Sequence, residues 1–97
     1  MSAYIIGRVE ITDWPRYLEY MKHTPGIIAR HGGKFIARGG ETTTLEGPAE
    51  TARVIILEFP DLESARAFYH SSEYQEAKGL REGAAMAQFV MIDGCKG

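Results

Sequence analysis

Three observations predict an α+β fold with the element order β-α-β-β-α-β. Four segments alternate or concentrate β-branched and aromatic residues. Two stretches carry apolar side chains at helical spacing. Turn formers fall at the joins, among them Thr12-Asp13, His31-Gly32-Gly33, Glu46-Gly47-Pro48 and Pro60-Asp61.

The first strand runs over Tyr4–Ile11, where Ile5, Gly7, Val9 and Ile11 share one wholly nonpolar face. Thr12-Asp13 then supplies a helix N-cap, because a short side-chain oxygen accepts from the free amides of a first turn. Pro15 falls where a missing N–H costs nothing. Trp14, Tyr17, Leu18 and Met21 form the expected buried stripe, and Pro25-Gly26 predicts a break or kink. His31-Gly32-Gly33 closes the helix, since glycine readily takes the left-handed C′ conformation.

A second strand is expected over 34–39, with Phe35, Ala37 and Gly39 opposite Lys34, Ile36 and Arg38. Gly39-Gly40 suggests a bulge or bend, and Thr42–Leu45 a prolongation as an edge ribbon. Arg53–Phe59 is the clearest strand, stopped by Pro60-Asp61. Asp61 caps a helix with Leu62, Ala65, Phe68 and Tyr69 on one stripe. The Ser-x-x-Gln spacing of Ser72 and Gln75 predicts a restart capped by Ser72. Gly83 ends that region, and Ala87–Ile92 forms the last strand.

This order is the split βαβ, or ferredoxin-like, arrangement: a four-stranded antiparallel sheet with two kinked or split helices on one face. Two helices cover one side of such a sheet, yet the strands carry large apolar groups on both. Arg53, Ile55, Leu57 and Phe59 oppose Val54, Ile56 and Glu58; Ala87, Phe89 and Met91 oppose Gln88, Val90 and Ile92. A second copy applied face to face would bury the uncovered side, giving a homodimer that completes an α/β barrel.

Length and composition fit a single domain spanning 1–97. Eleven basic against 13 acidic residues give a net charge of −2, which disfavours nucleic acid as a partner. One cysteine, Cys95, permits neither an internal disulfide nor a cysteine-based zinc cluster. The N-terminus has no charged region before its short apolar run, so a signal peptide, an anchor and a membrane partner are not expected. The reading is a cytoplasmic protein.

Chemistry-bearing residues are few. His23, His31 and His70 lack metal-site spacing, so no metal is expected. His31 closes a helix beside Gly32-Gly33, where it either shuttles a proton or simply places a cation at a helix C-terminus. Arg38 and Arg53 stand in or at the edge of largely buried strands. Each needs either a carboxylate, with Asp13, Glu46 and Glu58 as internal candidates, or an anionic ligand. Tyr17, Tyr20, Tyr69 and Tyr74, with Trp14 and Phe68, fall on the helices and either pack the core or wall a cavity.

Taken together, Asp13, Tyr20, the run from His31 to Gly40, Leu45-Glu46-Gly47, Arg53, Glu58-Phe59-Pro60, Ser71–Tyr74 and Arg81 resemble the uncharacterised bacterial family catalogued as domain of unknown function 1330. The resemblance covers nearly the whole chain and implies a ferredoxin-like subunit pairing into a dimeric α/β barrel. That superfamily includes cofactor-independent monooxygenases, isomerase-like proteins, haem-binding members and stress-response proteins. The histidines offer no axial-ligand context for haem, and no cofactor is expected.

Two functions follow as expectations. In one, a small anionic or aromatic molecule binds between helices and sheet, held by Arg38 and Arg53 and framed by Tyr20, Tyr69 and Tyr74. His31 or Asp13 would then move a proton in an isomerisation or cofactor-free oxidation. In the other, the protein is a non-catalytic structural or stress-response dimer whose arginines sit in internal ion pairs.

Overall fold

In a computed structural model that describes residues 2–95, the chain forms β1 (Ala3–Ile11), α1 (Trp14–Arg30), β2 (Lys34–Arg38), β3 (Arg53–Phe59), α2 (Leu62–His70), α3 (Ser72–Gly79) and β4 (Ala85–Asp93). Met1, Lys96 and Gly97, the outermost positions of the expected domain, lie outside the described residues. The strands lie in the order β2-β3-β1-β4, each antiparallel to its neighbour. This is the ferredoxin-like arrangement. The sheet is open, with β2 and β4 as its edges. The Cα envelope of 37 × 36 × 16 Å is the thickness of one sheet and one helical layer.

Of the break or kink expected at Pro25-Gly26, the break does not occur: the helix continues through Pro25. A proline leaves the carbonyl four residues back without its amide partner. Here that carbonyl belongs to Met21, and the Thr24 hydroxyl donates to it at 3.4 Å. Tyr20, Thr24, Ile27 and Ile28 are buried on both sides of the proline, so both halves of the helix are packed against the core. The buried stripe is Tyr17, Tyr20, Thr24, Ile27 and Ile28, whereas Trp14 and Leu18 are about half exposed. The expected stripe thus pointed to the wrong side of the helix by part of a turn. Both ends are capped as expected. The Asp13 carboxylate accepts from the Arg16 amide, and Gly32 and Gly33 donate to Ala29 and Ile28, with Gly32 at φ 77°.

Strand β2 departs from simple alternation. Phe35 pairs with Leu57 and Ala37 with Ile56, which leaves Ile36 as a bulge. Arg38 then pairs with Ile55 and joins Phe35 on the helix-covered face, not on the opposite face expected from alternation. The segment 40–52 forms no edge ribbon. Its residues through Pro48 are exposed, and the chain returns to the sheet through Glu50, whose carboxylate is gripped by Arg8. The α3 cap is Ser71, one residue before the expected Ser72: its hydroxyl accepts from the Tyr74 amide and donates to the Phe68 carbonyl.

Ile5, Val9, Leu57 and Phe59 of the sheet pack against Tyr17, Tyr20, Ile27, Ile28, Ala65, Phe68 and Tyr74 of the helices. Gly7 is required at its place in β1, because a Cβ there would lie 2.9 Å from Ile55 Cγ1 and against the Phe89 ring. Two cross-strand rows run over the opposite face, Ile56-Ile6-Val90 and Glu58-Tyr4-Ile92. No helix covers them, and Val90 and Ile92 are about half exposed.

Candidate functional site

A narrow cavity of about 20 Å³, room for little more than one water, lies between α1, the α2–α3 pair and the sheet. Its walls are mostly apolar: Ile5, Phe35, Ile55, Leu57 and Phe89 from the strands, Met21 and Ile28 from α1, and Phe68 from α2. The polar groups that reach it are two arginines, Arg38 and Arg53, one threonine, Thr24, and four tyrosines, Tyr17, Tyr20, Tyr69 and Tyr74. Among the described residues no carboxylate lines it. All five sequence-predicted ligand-binding residues are therefore brought together at one place.

Arg53 opens β3 and points beneath α1. Its Nε is buried without a hydrogen-bond partner, its Nη2 lies 3.8 Å from the Met21 sulfur, and the guanidinium stands close enough to the Tyr17 hydroxyl to pull against the rise in that phenol's pKa. The guanidinium lies against the backbone of Gly39, where a Cβ would stand 3.0 Å from Nε and closer still to Cζ. Gly39 has φ 68°, so the glycine serves both the turn out of β2 and the seat of the arginine. Arg38, carried to the same face by the Ile36 bulge, stacks its Cζ 4.2 Å from the Phe35 ring centre.

The internal partners expected for these arginines are engaged elsewhere. Glu58 faces Lys34 at 3.5 Å and Tyr4 Oη at 3.5 Å on the other side of the sheet. Asp13 caps α1, and Glu46 is exposed on the 40–52 segment. Among the described residues no carboxylate lies within ion-pair distance of Arg38 or Arg53. An internal ion-pair role for the two arginines is thereby corrected.

The tyrosine wall is backed by further cations. Tyr20 from α1 and Tyr74 from α3 hold their hydroxyl oxygens 2.7 Å apart. Arg81, only 7% exposed, directs Nη2 toward Tyr74 Oη at 3.5 Å. Its Cζ lies 5.1 Å from the Tyr20 ring centre and 5.2 Å from that of Phe89. Lys78 donates to Tyr69 Oη at 3.0 Å. Burial pushes the Tyr20 hydroxyl well above the usual phenol range, and the neighbouring Tyr74 adds to the shift. Burial also raises Tyr17, with Arg53 and then Arg81 pulling against it. These phenols are proton-bearing donors at neutral pH.

The two expected proton movers lie elsewhere. His31 caps the C-terminal end of α1, its Nδ1 3.0 Å from the Ile27 carbonyl and its ring edge-on to Phe68. Asp13 stands at the opposite end of the same 17-residue helix, roughly 25 Å away at 1.5 Å per residue. Neither lines the cavity, and their cap duties explain them locally. Among the described residues no cluster of histidine, cysteine, aspartate and glutamate could hold a metal.

Sequence reasoning named Tyr17 only as a core or cavity-wall residue and missed Phe35, Phe89 and Arg81 as site residues. Phe35 and Phe89 were legible as inward strand positions, but the meeting of β2 with α1 was not. Arg81 carried no local signal, since the turn after α3 reads as a solvated loop until Tyr20 and Phe89 are seen to close over it.

Residues 2–95 match the family model described as a domain of unknown function, DUF1330. No curated protein matches the sequence. Solved structures share the fold. A protein of unknown function from Rhodopseudomonas palustris is similar at 21% identity and TM-score 0.77, over 99% of this chain and 84% of that one. A dimeric ferredoxin-like protein of unknown function from Jannaschia sp. CCS1 is similar at 17% identity and TM-score 0.70, over 97% and 100%. The cofactor-independent oxygenase SnoaB of Streptomyces nogalater is similar at 12% identity and TM-score 0.68, over 99% and 95%.

Proposed function

The chain belongs to the DUF1330 family, and on that premise we propose that it binds a small planar organic anion in the cavity beneath α1, as a cytoplasmic homodimer. The observation that carries this reading is Arg53. A guanidinium whose Nε is buried without a partner, in a cavity that no carboxylate of the described residues reaches, is poised for an anion supplied from outside. The aromatic walls suit a flat molecule, and because the cavity holds little more than a water as it stands, α1 and the Arg38 and Tyr69 side chains at its rim must give way to admit even one ring.

Two guanidiniums favour an enolate or phenolate over its neutral form. Such electron-rich anions are the intermediates of isomerisation and of oxidation without a metal, and a cofactor-independent oxygenase shares this fold. The homodimer reading rests on the uncovered rows Ile56-Ile6-Val90 and Glu58-Tyr4-Ile92 and on a similar structure described as dimeric.

Benzoate, the simplest planar aromatic carboxylate, provides the test. Titration calorimetry should show saturable binding to the wild-type chain, with a matching rise in thermal stability because a ligand of the native state shifts unfolding. Arg53→Met should abolish both. If benzoate, salicylate and phenylacetate all leave the wild-type melting temperature and heats unchanged, the cavity is not an anion site.

A further inference from the structure

Tyr20 and Tyr74 meet from different helices with oxygens 2.7 Å apart, and both are buried, at 4% and 2% exposure. Two hydroxyls that share one hydrogen bond use one proton and leave the other free. Arg81 cannot take that proton, because a guanidinium only donates, and its Nη2 already points at the Tyr74 oxygen. Among the described residues no other acceptor lies within hydrogen-bond distance of either hydroxyl. Both tyrosines are among the residues that line the cavity.

Arg81 adds a second anomaly. It is a nearly buried cation whose Nε has no partner and which no carboxylate among the described residues neutralises. Its charge is met by the ring faces of Tyr20 and Phe89 and by the Tyr74 oxygen. A cation donating to a phenol oxygen polarises that phenol and strengthens its own outgoing hydrogen bond.

We infer that the Tyr20–Tyr74 pair, polarised by Arg81, donates a hydrogen bond to a second oxygen of the bound molecule, so that the ligand is a planar anion carrying two oxygen functions. One function sits at Arg53 and Arg38; the other, a phenolic or enolic oxygen, sits at the tyrosine pair. Arg81 is a positioning residue that acts through Tyr74. This inference rests on the reading of the cavity as an anion site, and deepens it by naming the ligand class.

The experiment compares benzoate with 3- and 4-hydroxybenzoate by titration calorimetry. At least one hydroxybenzoate should bind the wild-type chain about tenfold more tightly than benzoate, the size expected of a charge-assisted bond. One of Tyr20→Phe and Tyr74→Phe, whichever removes the terminal donor, should erase that advantage, bringing the ratio of hydroxybenzoate to benzoate affinity down to about one. Arg81→Met should shrink the advantage. It should also raise the apparent pKa of bound 4-nitrophenol, read from its absorbance, a signature that loss of packing alone does not produce.

Equal affinity for benzoate and both hydroxybenzoates in the wild type overturns the inference while the anion site stands. That comparison needs no variant, so misfolding of a mutant leaves it intact. Survival of the advantage in both tyrosine variants also overturns it. If none of the three acids binds, the anion site and the inference fall together.

Discussion

Arg38 lies over the ring of Phe35, its guanidinium carbon 4.2 Å from the ring centre, although the two are three positions apart on one strand. Regular alternation would put them on opposite faces; the Ile36 bulge puts them on the same one. The stacking is the principal interaction that orders Arg38, which is otherwise open to solvent and has no carboxylate to neutralise. Arg38→Ala should therefore cost less than about 1 kcal/mol in urea unfolding, the range of an exposed cation–π contact. Benzoate affinity should fall at least about tenfold. A loss near 3–5 kcal/mol would instead reveal a stranded buried partner.

Arg53 should behave in the opposite sense to an arginine kept for stability. Its partly buried guanidinium leaves Nε unsatisfied, and replacing it by an apolar side chain of similar length removes that cost. Arg53→Met, beside Met21, should raise unfolding free energy by roughly 1 kcal/mol or leave it level, while anion binding is lost. Denaturant melts of the ligand-free proteins decide the matter, and a clear destabilisation would mean that the arginine already has a partner.

What the sequence made legible was what depends on neighbours along the chain. The β3 boundaries at Arg53 and Phe59, the Asp13 and Asp61 caps and the glycine-closed end of α1 rest on alternation or short-range hydrogen bonds, and each stands in the structure. The bulge at Ile36 was hidden because a five-residue strand alternates in apolarity with or without it. The continuity of α1 was hidden because it depends on the Thr24 hydroxyl reaching the Met21 carbonyl and on burial from above and below. Five of the cavity residues were named because tyrosines and arginines are conspicuous by type. The Arg81–Tyr20–Tyr74 cluster was not, since it joins residues 54 positions apart through a turn with no motif of its own.

Ser71 and Ser72 offer a sharp contrast between adjacent hydroxyls. Ser71 accepts from the Tyr74 amide at 3.1 Å and donates to the Phe68 carbonyl at 2.7 Å, joining the end of α2 to the start of α3. Ser72 is exposed in the first turn. Ser71→Ala should cost about 0.5–2 kcal/mol, the usual value of an N-cap, and Ser72→Ala within about 0.5 kcal/mol of nothing. Thermal unfolding of the two variants side by side would show a reversed order if Ser72 were the cap.

The uncovered sheet face makes a prediction about assembly. In the proposed dimer Ile6 sits at the centre of the row Ile56-Ile6-Val90, so a charge placed there meets its own copy across the two-fold axis or lies close to it. Burying one such side chain is worth about 1.5–3 kcal/mol, and symmetry counts each substitution twice. Ile6→Lys should weaken the dimer by at least about a hundredfold and give monomers in sedimentation at micromolar concentration. Wild-type chains that sediment as monomers, or a variant as dimeric as the wild type, would leave the exposed rows without a second copy.

The same face carries a pH-sensitive clamp. Arg8 grips Glu50 through Nε at 2.5 Å and Nη2 at 2.7 Å, and Glu50 also accepts from the Ala52 amide at 3.2 Å. The Arg8 hydrogen bond first, then the Ala52 amide, hold the Glu50 carboxyl at about 2, below the ordinary 4.5. A folded-state value below the unfolded one means that the clamp's stabilisation is present above about 4.5 and is lost as pH falls from there to about 2. Both side chains meet solvent, so the effect on global stability is small and the response is local. Carboxyl-carbon NMR should show Glu50 titrating near 2 in the wild type and higher in Arg8→Met, though still below the ordinary value because the Ala52 amide remains. Because protonation leaves Arg8 as an unneutralised charge on the face a second copy would cover, acid should also loosen the dimer. Glu50→Gln leaves Arg8 unneutralised at every pH, so that variant should be weaker at neutral pH and lose Glu50's contribution to the acid dependence. A wild-type Glu50 that titrates near 4.5 would show that the clamp is open in solution, and the acid response of the dimer would then have to arise elsewhere.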